Sequence, residues 1–482
     1  MGTGTPPTAA AGTIPAALAN ACADLTTASD LDVVGGRQAR YVAAPASTSE
    51  AAALLRAAAD LGLTVVPRGS GSHLHWGAPP ASCDLIVDTR RLDQVLEHAA
   101  GDLVVSVQAG VRLDDLASVL AAAGQRLALD PPRTAGHDGT IGGLIATGAA
   151  GPLRFRYGSP RDLLIGITVV RADGAITKSG GKVVKNVAGY DLGKLYAGSY
   201  GTLGLITEAT FRLHPKPETS TWITLESASP ETAAQIVAVM SNSPLAPAAI
   251  ELDWPSAADS ISVSVLLEGD APSVATRADR MTDILTRATV GLPSDHTKRS
   301  DVSSAHPPLP AVEQSQRETQ QSSDTAIADV EPVVDAFPLH RVPVGSRERP
   351  YGAGTQVRIA FWAAHLEIVL RVVREAGAEH GVDPAISGSA GAGVLELDVS
   401  GLAPPDAVVG FVDQVRADLA GVTSVVRGPP SVASVVVVCA PAEVLDAVDV
   451  WGPVPSLRLM RAVKDRFDPE HRMAPGRFAG GI

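Results

Sequence analysis

Residues 63–77 read LTVVPRGSGSHLHWG, a β-branched apolar strand that runs straight into a loop of glycine, serine and histidine. Such a loop presents successive backbone N–H groups and two hydroxyls to an anion. Gly69, Ser70, Gly71, Ser72 and His73 are therefore a candidate phosphate cradle, with a pyrophosphate as its natural guest. A plain tight turn explains the same residues equally well when the loop stands alone. A Rossmann loop needs GxGxxG opening a helix. Position 74 is Leu and the following HWGAPP cannot continue as a helix, so that fingerprint fails in spacing and in context. No P-loop pattern occurs either.

Working outward, SerThrSerGlu at 47–50 predicts a capping box, with Ser47 as N-cap and Glu50 returning to it, ahead of a helix that Gly62 ends. LVVSVQAG at 103–110 reads as a second strand. It leads to a helix marked by Asp114 and Asp115 in its first turn and by Leu113, Leu116 and Leu120 on one face, with Gly124 at its end. Then comes GHDGTIGGLIATGAAG at 136–151, six glycines in sixteen positions. That density is too high for an ordinary helix and too concentrated for a linker, so backbone is expected to come close to something here. Thr140, Gly142, Gly143, Thr147 and Gly148 could wrap the other side of the same guest, or the glycines could serve helix-to-strand packing. LIGITVVRADGAITK at 164–178 predicts a hairpin about Asp173-Gly174.

The chain has 482 residues, more than one hydrophobic core usually serves, so two domains are expected. Beyond residue 217 the pattern becomes a βαββα run, and a similar order recurs from 355 to 427, which suggests a second α+β domain with an internal duplication. Residues 290–350 are rich in Ser, Pro, Gln and charge and read as a disordered or loosely packed insertion, and the first 30 residues as flexible. With 52 acidic against 39 basic residues, the chain offers no extended cationic surface for a nucleic acid. Cys22, Cys83 and Cys439 lie far apart and form no disulfide framework, redox pair or cluster ligand set. Without a positively charged start or an uninterrupted apolar span, the expected location is the cytoplasm, with peripheral attachment at the inner face of the plasma membrane through partners.

Lysine is scarce: seven, against 32 arginines. Four of the seven, Lys178, Lys182, Lys185 and Lys194, fall within KSGGKVVKNVAGYDLGKL. A solvated cationic edge accounts for Lys178 and Lys194, while Lys185, Asn186 and Tyr190 are the candidates for chemistry. Arg154 and Arg156, in GPLRFRYGS beside the second glycine loop, could hold a carboxylate bidentately, contact cofactor phosphate or face solvent. His365 and His380 lie fifteen residues apart on or at the end of a predicted helix and suit structural roles.

VVPRGSGS, DPPRTAGHDGTIGGLIATGAAGP, RYGSPRDLLIG, GGKVVKNVAGYDLGKLYAGSYGTLGLITEATFRLHPKP and FDPEHRMAPGRF together resemble the vanillyl-alcohol oxidase/p-cresol methylhydroxylase flavoprotein superfamily. Within it they look most like the FAD-binding E subunits of bacterial glycolate oxidase. The resemblance implies a two-subdomain p-cresol methylhydroxylase (PCMH)-type FAD-binding domain at 31–217. It also implies an α+β cap with an antiparallel sheet at 218–455, and a segment at 456–482 that returns to the first domain. By motif position, Arg68 through His73 would hold the pyrophosphate and Thr140, Gly142, Gly143, Thr147 and Gly148 the cofactor's middle. Ile206 would lie near the adenine. Lys185 and Asn186, from the lysine-rich stretch, are taken as further cofactor contacts, and Tyr190, Arg154 or Arg156 would stand near the reacting carbon in a chain that oxidises its substrate itself.

Members that tether FAD covalently do so through the histidine of an RxGGH pattern. Here that position is Ser72 and His73 is one residue late, so noncovalent FAD is expected. Related dehydrogenases carry a metal-binding GHxGDGN segment in the cap. The comparable ISGSAGAGVLELDV at 386–399 has no histidine, and no metal site is expected. Met473-Ala474 replaces the usual Asn before ProGly, so a hydrogen bond should be missing there.

The implied function is the FAD subunit of a glycolate oxidase-like 2-hydroxy-acid dehydrogenase complex. Its substrate would be an acid such as glycolate or lactate, and electrons would leave through a partner, such as a second flavin subunit or an iron-sulfur subunit, through an external acceptor or to oxygen. The alternatives are a free-standing FAD-dependent alcohol or 2-hydroxy-acid oxidase or dehydrogenase, and a cofactor-free scaffold.

Overall fold

A computed structural model describes residues 13–132, 138–181, 191–289, 354–422 and 433–482. The insertion expected at 290–350 lies outside them. Helix α1 (Thr13–Ala21) occupies part of the stretch expected to be flexible. Ile14, Leu18 and Cys22 recur every four residues and bury one face against helix α2 (Thr48–Asp60). Strands β1 (Leu25–Thr27), β2 (Tyr41–Ala43), β3 (Val65–Arg68) and β4 (Leu85–Asp88) form a sheet in the order β1-β2-β4-β3, with β4 parallel to both neighbours.

Ser47 accepts the Glu50 N–H at 3.1 Å, as the sequence implies. The Glu50 carboxylate does not close the box. It accepts from Ala46 N at 2.7 Å and Ala23 N at 3.1 Å, which ties α2 to the chain leaving α1.

A second, antiparallel sheet runs β8-β7-β9-β6-β5, from β5 (Val95–Ala99), β6 (Val104–Gln108), β7 (Leu164–Val170), β8 (Ile176–Gly180) and β9 (Leu205–Arg212). The expected hairpin is β7/β8, turning at Gly174 with φ +78°. Helix α3 (Leu113–Ala121) starts where its acidic first turn indicates. The glycine-rich stretch corrects the reading that it is no helix, because it contains α4 (Ile141–Thr147). Thr140 caps it by accepting Gly143 N at 3.3 Å, and Gly148, at φ +64°, ends it. A Cβ at Gly142 would sit 3.0 Å from that of Ala109, so this glycine serves helix-to-strand packing. The short helix α5 (Arg154–Tyr157) follows.

The cap is a duplicated unit. The first copy is β10 (Thr219–Ser227), α6 (Pro230–Ser241), β11 (Ala249–Trp254), β12 (Ile261–Gly269) and α7 (Ala271–Thr289). The second is β13 (Gly354–Phe361), α8 (Leu366–His380), β14 (Ala385–Gly388), β15 (Val394–Ser400) and α9 (Pro405–Gly421), followed by β16 (Ala433–Cys439). The seven strands run β10-β12-β11-β14-β15-β13-β16, so each copy contributes the same local order and the copies join through β11 and β14.

Period-2 alternation splits this sheet into two faces. Ile250, Leu252, Val263, Val265, Val357, Ile359, Leu395 and Leu397 are buried in one core with the helices. Glu251, Ser264, Arg358 and Glu396, at the alternate positions, are half-buried on the other face. That face meets the first half of the chain: the Arg358 guanidinium sits 5.1 Å from the Trp76 ring centre.

Helix α10 (Leu457–Phe467) leads the chain back to β3. Val65 N donates to Arg472 O at 2.8 Å, and Ala474 N to Val65 O at 2.7 Å. Met473 keeps its backbone bonds, donating to Asp468 Oδ2 at 2.7 Å and accepting Lys464 Nζ at 2.9 Å. The cost of the unusual residues lies in conformation, since Ala474 has φ +41°. Ala474→Gly should stabilise the protein by about 0.5–1 kcal/mol, read as a higher urea midpoint at unchanged slope. Among the described residues no helix is long and apolar enough to cross a membrane.

Candidate functional site

The two glycine loops, about seventy residues apart in sequence, meet in space. A Cβ on Gly69 would run into Thr140 Oγ1, so the loops touch through the one residue type that lacks the atom. Between them opens a cleft of about 700 Å³, its mouth included, lined by residues 67–74, by Thr140, Gly142, Gly143, Ala146 and Thr147, and by Tyr200, Gly201, Gly204, Leu205 and Ile206. Among the described residues the backbone N–H groups of Gly69, Ser70 and Gly71 have no hydrogen-bond partner. Three unsatisfied donors on one loop are a cradle for an anion. Ser72 Oγ lies 2.9 Å from His73 Nδ1, and the His73 ring meets Trp76 edge-on at 4.2 Å. Desolvation, with help from His75 and Arg358, lowers the His73 pKa to about 4, so the imidazole is neutral at physiological pH.

Arg68 lines the cleft, but its guanidinium is already committed, to Asp32 at 2.6 Å and to Asp88 at 3.0 Å. This argues against its role as a phosphate ligand; it braces the start of the loop. Gly148 is not among the lining residues and faces Gly198 from the end of α4. Thr147 lines the cleft while its hydroxyl donates to Gly143 O at 2.8 Å. Lys185, Asn186 and Tyr190 lie outside the described residues.

Tyr200, Gly201, Gly204 and Arg477 are lining residues that the sequence reading did not single out. The glycines of GSYGTLG were the available signal. Tyr200, at φ +55°, gives none because the left-handed region is rare for tyrosine. Arg477 donates to Leu74 O at 2.9 Å and Trp76 O at 2.7 Å, hooking the C-terminal segment onto the first loop.

Residues 39–180, which contain both glycine loops, match the FAD binding domain family. The chain carries an FAD-binding domain. It is similar to the glycolate oxidase subunit GlcD of Bacillus subtilis strain 168, 38% identical over 216 residues, 45% of this chain and 46% of that one. It is 36% identical over 172 residues to the glycolate oxidase subunit GlcE of Escherichia coli K12, covering 36% of this chain and 48% of that one. To a D-lactate dehydrogenase of Archaeoglobus fulgidus it is 37% identical over 175 residues, 36% and 39% of the two chains. The chain thus spans about half, or less, of the length of the curated relatives it matches. The solved structure of p-cresol methylhydroxylase with substrate bound has the same fold, with a TM-score of 0.66 and 11% identity over 97% of this chain and 96% of that one. An alkyldihydroxyacetonephosphate synthase gives 0.61 and 16%, covering 91% and 76%. The architecture is therefore the expected mixed α+β, PCMH-type FAD fold.

The residues present suit FAD. The free N–H groups of Gly69–Gly71 would take its pyrophosphate, and Gly204, Leu205 and Ile206 give an apolar wall for a ring. The two arginines of α5 part company. Arg156 is exposed and donates to Ala246 O of the cap at 3.1 Å, so it belongs to the contact between the two halves. Arg154 donates to Gly151 O and Ala150 O and lies within the electrostatic reach of Asp130, Glu251, Arg358 and Glu396.

Proposed function

We propose that the chain is an FAD-dependent oxidoreductase of 2-hydroxy acids such as glycolate or lactate, working as the FAD subunit of a glycolate oxidase-like complex. A second flavin subunit or an iron-sulfur subunit would take its electrons. The observation behind it is the pair of glycine loops meeting at Gly69 and Thr140 around unsatisfied N–H groups. FAD, when bound, supplies a two-electron acceptor. The protein's part is to hold it noncovalently, keep His73 neutral beside it, and orient a carboxylate substrate with Arg154. The names of the glycolate oxidase subunits and the D-lactate dehydrogenase support the substrate class. The proposed location is cytoplasmic, reaching the inner face of the membrane through partners.

A second reading is a free-standing dehydrogenase or oxidase. It is favoured by the seam between the two halves, which brings Arg154 within electrostatic reach of Glu251 and Glu396 inside this one chain. The visible spectrum of the purified protein, taken anaerobically before and after glycolate or D-lactate, separates the readings. A yellow protein that bleaches alone supports the free-standing enzyme. One that bleaches only after a partner subunit is added supports the complex. A colourless protein that FAD cannot reconstitute defeats both.

A further inference from the structure

Helix α5 clamps the seam between the FAD-binding half and the cap. Phe155 packs against Gly391 and Ile250 sits beside them. The Tyr157 hydroxyl donates to Glu268 at 3.0 Å, and Glu268, buried, holds Arg126 at 2.7 and 2.5 Å. Arg154, on the same helix, lies within the electrostatic reach of groups from both halves: Asp130 from its own half, and Glu251 on β11, Arg358 on β13 and Glu396 on β15 from the cap.

Most of these groups are spoken for. Asp130 accepts Leu153 N through both oxygens, at 3.2 and 3.1 Å. Arg358 and Glu396, directly opposite in the sheet, pair at 2.6 Å. Arg154 donates from Nε to Gly151 O at 3.3 Å and from Nη2 to Ala150 O, and neither bond uses Nη1.

Acceptors are left over. Glu251 Oε1, Glu396 Oε2 and Ser389 Oγ are closed off from solvent without a well-formed hydrogen bond, and Ser389 is 4% exposed. The Ser389 hydroxyl is near enough to Glu251 to favour its charged form, yet does not align with it. A guanidinium edge, a carboxyl oxygen and a hydroxyl, all underused and drawn together by two domains, call for a guest.

We propose that Arg154, Glu251 and Ser389 form a proton-coupled site for a small carboxylate: the anion pairs with Arg154, and Glu251 takes a proton from solvent as the anion arrives. The ligand class rests on the 2-hydroxy-acid reading above. Desolvation raises the Glu251 pKa to about 8, with the Asp130 charge adding to it and Ser389 and Arg154 opposing. Asp130 itself is raised to about 7 by desolvation, against the Leu153 N–H, Arg154 and Arg126. Desolvation, then the Arg358 charge, lowers the pKa of Arg154, while Glu396, Glu251 and Asp130 oppose that shift. An incoming negative charge moves both carboxyls further toward the protonated form, so binding must draw protons near pH 8.

The test is calorimetric titration of oxalate, which offers no carbinol hydrogen, into the FAD-containing protein at pH 8 in phosphate and in Tris buffer. The difference in observed heat gives the protons exchanged. The expected uptake is up to roughly half a proton, because a group titrating near 8 is half ionised there. Glu251→Gln should remove most of the uptake, and Arg154→Ala should weaken oxalate about tenfold or more. Unchanged flavin absorbance would show that each variant is folded.

Uptake undiminished in Glu251→Gln, oxalate affinity unchanged in Arg154→Ala, or no oxalate binding would each overturn the site. Glycolate oxidation persisting alongside any of these would leave the oxidoreductase reading standing.

Stability gives a second readout. The folded pKa is raised, so the cost of the ionised carboxyl is full above pH 8 and fades toward the ordinary value of 4.5. Glu251→Gln should therefore melt several degrees above the parent at pH 8.5 and lose that advantage as the pH falls to about 4.5. An advantage that does not change with pH would exclude Glu251 as the titrating group.

Discussion

Lys464→Met should cost about 3–5 kcal/mol of stability and leave the chain short of FAD. Lys464 and Asp468 are both 0% exposed and pair at 2.7 Å within one turn of α10 and its continuation. The ammonium has three protons and three acceptors: Asp468 Oδ2, Thr202 O at 2.8 Å and Met473 O at 2.9 Å. Methionine fills much of the volume and supplies none of the donors. Two buried carbonyls would then lose this donor, and the buried Asp468 carboxylate would keep the Met473 N–H but lose its counter-charge.

Thr202 stands between Gly201 and Gly204, two walls of the cofactor cleft, so the damage should reach FAD as well as the fold. Urea unfolding and the ratio of flavin to protein absorbance measure the two effects. Lys464→Met combined with Asp468→Leu should recover part of the loss, because it removes the stranded charge. A single variant within about 1 kcal/mol of the parent would show that the pair does not hold the C-terminal segment in place.

How much of this was legible in the sequence depended on how local each interaction is. The cap's two βαββα copies were readable because strand and helix periods are written in neighbouring residues. The same holds for the β7/β8 hairpin, whose turn residues lie beside the strands they join. The commitment of Arg68 to Asp32 and Asp88 could not be read, because those carboxylates lie 36 and 20 residues away. The glycine count at 136–151 argued against a helix, yet a cap at Thr140, a left-handed Gly148 and the face of Ala109 together make α4 possible. Lys464 drew no notice since two of its three acceptors come from residues 202 and 473. Arg154 and Arg156 looked alike in RFRY. Helical rotation sends one to the seam and the other to the surface, and no pattern in four residues says which is which.

Gly69→Ala should weaken FAD binding about ten- to a hundredfold while leaving the protein folded. The backbone at Gly69 is not in the left-handed region, so alanine meets no conformational penalty there. The obstacle is steric and local, as the new methyl would overlap Thr140 Oγ1 and press on Thr140 Cβ and Cγ2 at 3.2 and 3.1 Å. Relief requires the first glycine loop to move off the cap residue of α4, and the unsatisfied N–H groups of Gly69–Gly71 move with it.

Adding Thr140→Ala should restore much of the affinity by removing the clashing oxygen and methyl. It would cost about 1 kcal/mol of stability through the lost helix cap. Gly101→Ala, where a Cβ meets nothing within 4 Å, is the control and should bind FAD as the parent does. Titration of each apoprotein with FAD by flavin fluorescence gives the affinities. A Gly69→Ala protein that binds FAD as tightly as the Gly101→Ala control would mean that the meeting point of the two loops is not where the cofactor's phosphates are held.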